Sequence, residues 1–319
     1  MTEKMANRMS ALDDEDTNSL TSFNLLGPVG EKLISPCCIS VSPTGEYLVS
    51  DSESCFIIIY NSFGEYLSHF STIPKSSFYL LLDLDKHKPH DVAWLSSKKI
   101  VYTQPWGSKV VISNWKGKVS ICIEGKPLYQ PFGVCVDNLD QIYITDRDKG
   151  RILCYSADGK LIKSFGGFGS NGYVLNNPHY IVINRTGDIV LNDIVKNSIC
   201  IKVLNKKSGV HKTIPTDIEN GKNIGSLAID SDHNIIHADT QNKTVHVFTS
   251  DLNENNEYLS GKFTINNVND MYGIAFNHDG NLVCIDQNDK RIKIFPWAKD
   301  YVYCNGHIKS SSHITEDSN

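Results

Sequence analysis

The chain has 319 residues, 40% of them hydrophobic and 21% charged, with a formal net charge of −5; such a composition excludes general disorder and describes a globular protein. Its apolar runs fall far short of the roughly 18 to 20 residues a membrane helix needs, and the first twenty residues lack the cationic start and apolar centre of a signal peptide, so a cytoplasmic protein without a membrane partner is expected. Nine cysteines form no C-x-x-C pair, which points to reduced thiols acting as small hydrophobes and not to a disulfide framework or zinc finger.

Residues 1–20, with Asp13, Asp14, Glu15 and Asp16 in a row, are expected to be a disordered acidic tail. Beyond them an internal repeat organises the chain. Six copies begin at Pro36, Pro89, Pro131, Pro178, Ile224 and Met271, spaced 42 to 53 residues apart. Three residues on stand Ile39, Val92, Val134, Ile181, Leu227 and Ile274; twenty-one on stand Ile57, Val110, Ile152, Ile199, Val245 and Ile292. Fifteen on stand Asp51, Gln104, Asp146, Asp193, Asp239 and Asp286. Recurrence at a period of 40 to 50 residues signals a stacked repeat architecture.

Within a copy the apolar runs are short, rich in Val, Ile and Tyr, and separated by turn sequences such as Pro43-Thr44-Gly45 and His278-Asp279-Gly280, the pattern of antiparallel strands. Copy three predicts four strands, near 132–137, 141–146, 151–155 and 160–165. One such sheet cannot cover both its faces, so six must stack and close into a ring. The predicted fold is all-β, a six-bladed β-propeller of four-stranded antiparallel blades spanning residues 21–297. Copy six has only three strands before Pro296, and residues near 22–26 are expected to supply the fourth and close the ring. Residues 298–319 are expected to be a disordered tail.

The run from Pro131 through Asp137, Asp146 and Arg151, followed by Ala157-Asp158-Gly159-Lys160 and Phe165-Gly166-Gly167, resembles the NHL repeat, and the copy beginning Asn177-Pro178-His179 is similar to its counterpart in the tripartite-motif NHL proteins. The resemblance is weak in copy two, where Gln104 replaces the aspartate. It implies a binding platform for proteins or RNA at the end of a ubiquitin ligase. No RING finger, B-box or coiled coil precedes the repeats here, so ligase activity by this chain alone is not expected, and a ligase-pathway role would be substrate recognition.

The start of each first strand and the end of each second strand share one rim of the ring, the candidate functional face. The recurring aspartates on it are expected to fix tight turns by accepting bonds from the next backbone N–H groups. The residue after each copy start varies more: Cys37, His90, Phe132, His179, Gly225 and Tyr272 should ring the mouth of the central channel. His90 and His179, each following a proline, resemble the alternate-blade histidines of the peptidyl-hydroxyglycine lyases, but Tyr272 stands where a third would. A metal-dependent lyase or a calcium-dependent hydrolase is therefore the least favoured function, and neither a cofactor nor a metal is expected. Phe132, Tyr180 and Tyr272, with Trp106 on a nearby loop, offer faces for bases or peptide side chains. The loop of Arg147, Lys149 and Arg151, with Arg291, brings positive charge to the same rim. A pI near 6.1 is low for a dedicated nucleic-acid domain, which argues against DNA and places RNA second. The expectation is a non-catalytic platform that recognises a protein partner, or alternatively single-stranded RNA, through His90, Trp106, Phe132, Arg147, Lys149, Arg151, His179, Tyr180, Tyr272 and Arg291. The long connection before copy two, with Phe78 to Leu82 and then Lys86-His87-Lys88, is expected to pack across the first blade junction.

Overall fold

A computed structural model describes residues 21–27, 30, 32–74, 83–167, 175–206, 211–219, 224–252, 258–265, 268–297, 301–304 and 307–310. The chain folds into six four-stranded antiparallel sheets arranged as a propeller. Blade one is β2 (Pro36–Val41), β3 (Tyr47–Asp51), β4 (Phe56–Tyr60) and β5 (Tyr66–Ser71). Blade two is β6 (Val92–Trp94), β7 (Lys99–Gln104), β8 (Lys109–Asn114) and β9 (Val119–Glu124). Blade three runs β10 (Pro131–Val136), β11 (Ile142–Asp146), β12 (Arg151–Tyr155) and β13 (Leu161–Gly166). Blade four is β14 (Pro178–Ile183), β15 (Ile189–Val195), β16 (Ser198–Leu204) and β17 (His211–Glu219). Blade five is β18 (Leu227–Ile229), β19 (Ile235–Asp239), β20 (Thr244–Leu252) and β21 (Tyr258–Thr264). Blade six is β22 (Met271–Phe276), β23 (Leu282–Asp286), β24 (Arg291–Phe295) and the N-terminal strand β1 (Thr21–Asn24).

Second strands such as β3, β11, β19 and β23 are buried along their whole length. Each is covered on both faces by neighbouring blades, so it reads as a near-continuous apolar run instead of alternating. Outer strands β9 and β13 face solvent and carry mostly exposed residues.

The ring closes as the sequence predicts. Thr21 pairs with Ile294 and Phe23 with Ile292, in antiparallel register with β24. Phe23 lies 5.7 Å from the Tyr47 ring and 6.3 Å from the Tyr60 ring, and it fills the space over Gly64 so closely that a Cβ there would lie 2.3 Å from its ring. Leu25, fully buried, continues the seam with a backbone bond to Lys290 O at 2.9 Å.

Residues 1–20 and Phe78 to Leu82 lie outside the described residues. Part of the segment expected as a C-terminal tail forms a hairpin, β25 (Tyr301–Cys304) with β26 (His307–Ser310), lying against β21. The sequence signal is Asn305-Gly306 between two β-forming tetrads, a favoured hairpin dipeptide, which the polar average of the tail conceals. No helix among the described residues is long and apolar enough to cross a membrane.

Candidate functional site

The site is built where four of the first strands bulge. Ladder register slips between Pro36 and Cys38, Pro131 and Val134, Pro178 and Ile181, and Met271 and Ile274. A bulge turns its extra residue off the ladder, and here those residues crowd the channel. At Gly133 the next blade comes so near that a Cβ would sit 2.3 Å from His179 O. Side chains one place before the recurring acid tie each bulge to the next blade. Ser50 Oγ donates to His90 O (2.6 Å), Thr103 Oγ1 to Phe132 O (2.7 Å), Thr145 Oγ1 to His179 O (2.5 Å) and Asn192 Nδ2 to Gly225 O (3.0 Å). Sequence reasoning missed this belt. Its signal is a polar residue in an otherwise apolar strand in four of the six copies, directly before the acid in three of them and before Gln104 in the fourth.

The recurring aspartates are structural, but not in the expected way. Asp51 accepts from Ile34 N and Ser35 N (2.9 and 2.6 Å), Asp146 from Tyr129 N and Gln130 N (3.3 and 2.8 Å), and Asp193 from Asn176 N and Asn177 N. They therefore clamp the segment entering their own blade and not the turn that follows. Asp286 accepts from Asn269 N and Asp270 N in the same way and, in addition, from Asp289 N three residues on, while Asp239 takes the amide of Asn242. Gln104, a donor at this place, reaches the His87 carbonyl instead (2.7 Å). Asp137, Asp230, Asn184 and Asn277, which precede turns, accept from the turn amides as their type suggests.

This clamp corrects part of the predicted basic rim. Arg151 binds Asp146 through two nitrogens (2.9 and 3.0 Å) and also the Pro127 carbonyl, so it is tied into the blade. Lys202 holds Asp193 at 2.7 Å and Lys293 holds Asp286 at 3.0 Å in the same manner. Arg291 Nε donates to Asn24 Oδ1 (3.1 Å) across the ring closure, and Lys109 pairs with Glu124.

What remains converges at the channel mouth. A cavity of about 400 Å³ is lined by His90, Phe132, Arg147, His179, Tyr180 and Tyr272, with Asn177 and Asn197 at its edge. Phe132 and Tyr180 are only 9% and 2% exposed, so they form the floor and walls and present no open stacking face, contrary to their expected role. The Phe132 ring lies 3.7 Å from that of His90 and 4.8 Å from that of His179. Arg147 stacks its guanidinium over the same ring at 4.5 Å and donates from Nε to Asn177 Oδ1 at 3.1 Å. Trp106 is half-exposed two residues before Ser108, whose Oγ donates to the Tyr129 carbonyl, and Lys149, in the same turn as Arg147, sits 4.0 Å over the Tyr129 ring.

Burial, with His179 and Arg147 close by, pushes the His90 imidazole down to about 3, and burial with Arg147 nearby pushes His179 down to about 4. Both are neutral at physiological pH. His179 Nδ1 lies 2.8 Å from the Asn177 carbonyl; a carbonyl only accepts, so Nδ1 carries the proton and Nε2 is left as an acceptor. Tyr180 also lines a second cavity of about 400 Å³, bounded by residues of all six first strands and by Pro43. Asp91 lies there, its carboxyl pushed up to about 7 by burial although Val92 N and Val134 N both donate to it. Among the described residues no three His, Cys, Asp or Glu side chains gather as a metal site would require.

A sequence model of the NHL repeat matches residues 128–155, the first three strands of blade three, and the chain as a whole is a six-bladed propeller. No curated protein matches its sequence. Among solved structures it is similar to streptogramin B lyase, with a TM-score of 0.62 at 14% identity over 88% of this chain and 99% of that one. A catalytically inactive histidine-to-alanine form of virginiamycin B lyase from Staphylococcus aureus with quinupristin scores 0.60 at 16% identity, over 86% and 88% of the two chains. A luciferin-regenerating enzyme scores 0.60 at 10%, over 86% and 95%. At such identities the likeness is one of fold, and since one fold hosts both binding and catalysis, function has to be argued from the site.

Proposed function

We propose that this propeller is a non-catalytic recognition platform that binds a protein partner on the face bearing the channel mouth. The observation that carries the proposal is the grouping of half-exposed Trp106, Tyr129 with Lys149 over its ring, and Arg147 beside a concave cavity. Aromatic and arginine anchors around a pocket are what protein hot spots are made of. Tyr272 stands where a third ligand would beside the two mouth histidines, which favours binding over metal chemistry. The resemblance to tripartite-motif NHL proteins suggests substrate recognition in a ubiquitin-ligase pathway of the cytoplasm as the setting.

Selection of displayed peptides against the whole chain, counter-selected on a Trp106→Ala, Lys149→Glu variant, tests the proposal. Enriched peptides should bind the native protein and lose affinity for the variant. If pooled single-stranded RNA binds instead, with steep salt dependence and loss in the same variant, the face reads nucleic acid. Turnover of a lactone or a cyclic depsipeptide by the purified chain would sink the non-catalytic assignment.

A further inference from the structure

We propose that the mouth cavity seats the free C-terminal carboxylate of a partner polypeptide, with Arg147 as the fork that binds it and His179 Nε2 as the acceptor for the adjoining amide N–H. The inference rests on the protein-recognition role above and specifies what enters the pocket.

Arg147 differs from the cations that clamp the blades. Arg151, Lys202 and Lys293 each close on a buried aspartate. Arg147 is held only through Nε, on Asn177, and by the Phe132 face. Neither of its terminal nitrogens has a hydrogen-bond or ion-pair partner among the described residues, and the neighbouring Asp148 points its charge into solvent without reaching ion-pair distance. Burial lowers the guanidinium pKa although Asp148 pulls the other way, the mark of a cation partly stripped of water. The two terminal nitrogens match the two oxygens of a carboxylate end-on, and Asn177 and the ring hold the fork in place beforehand.

The acceptor beside it narrows the ligand. His179 Nε2 needs a donor, and a peptide terminus supplies one in the amide N–H next to its carboxylate. A phosphodiester brings no N–H. A phosphate monoester would bring nearly two negative charges to a cavity whose histidines are neutral and whose one cation is Arg147. Size points the same way: a cavity of about 400 Å³ walled by Ile194, Ile224 and Tyr272 admits one chain end more readily than a loop that must enter and leave.

The test uses fluorescence anisotropy on the full chain with a degenerate octapeptide pool ending in a free carboxylate, and the same pool amidated. The free-acid pool should bind, and amidation should weaken it by about tenfold or more, as loss of a buried charge-assisted pair does. Arg147→Gln should abolish that difference while the urea unfolding midpoint stays put, since Arg147 supports no aspartate clamp. Arg147→Lys should restore only part of the affinity, because an ammonium lacks the fork. Equal binding of both pools, no binding of either, or full retention in Arg147→Gln would overturn the inference. In the first case, loss of both pools in Trp106→Ala would leave the recognition face standing without carboxylate capture. Single-stranded RNA binding abolished by Arg147→Gln would overturn both in favour of nucleic acid.

Discussion

His237 lies in the middle of β19, fully buried, and neither ring nitrogen has a hydrogen-bond partner among the described residues. Its counterparts thirteen places into copies three and four are Ile144 and Leu191, both fully buried. Exchange of His237 for leucine should therefore stabilise the protein, and more so in acid. A neutral imidazole strands one donor and one acceptor here, at about 1 to 3 kcal/mol each, against roughly 1 kcal/mol for imperfect repacking. Burial, with His246 beside it, pushes the His237 imidazole down to about 3, although Asp239 pulls the other way. The unfolded chain titrates near 6.5, so below that pH it binds a proton that the folded chain refuses, and acid favours unfolding. Between pH 7 and 5 this one group removes about 2 kcal/mol of stability. Urea unfolding followed by tryptophan fluorescence at both pH values reads the difference directly. His237→Leu should have the higher midpoint at pH 7, and its lead should widen at pH 5. A lead that stays constant between the two would refute the claim that the fold holds this imidazole neutral.

The native protein should itself lose roughly 3 to 4 kcal/mol between pH 7 and 5: His90, His179 and His237 each remain neutral in the fold and protonate when released, while Asp91, protonated near 7 in the fold but only near 3.8 when unfolded, returns about 2 kcal/mol. A flat urea-midpoint profile over that range would contradict the assignment. Arg151→Ala should lower stability by about 3 kcal/mol, since it strands fully buried Asp146 without its cation, and should leave affinity for free-acid peptides unchanged once the protein is folded; isothermal titration at low temperature separates the two. Phe23→Ala should cost about 3 kcal/mol by emptying the space between Tyr47, Tyr60 and Gly64, and hydrogen exchange should then speed up first in β1 and β24.

Much of this architecture is local and periodic, and so it can be read from the residues alone. Six copies with the same apolar columns determined six blades, because a small sheet with two apolar faces is stable only when stacked. A last copy short of one strand, with a matching segment near residue 22, determined how the ring shuts. Which side chains are free depends on contacts between positions far apart in the chain, and only the tertiary structure decided that. Arg147 and Arg151 stand four residues apart in one basic loop, yet one faces a buried aspartate and the other an open cavity. Phe132 and Tyr180 look alike to Trp106 as aromatic anchors, but the bulged first strands bring neighbouring blades over them and leave only Trp106 in solvent. Composition gives no hint of such differences, since burial and pairing are properties of the assembled ring.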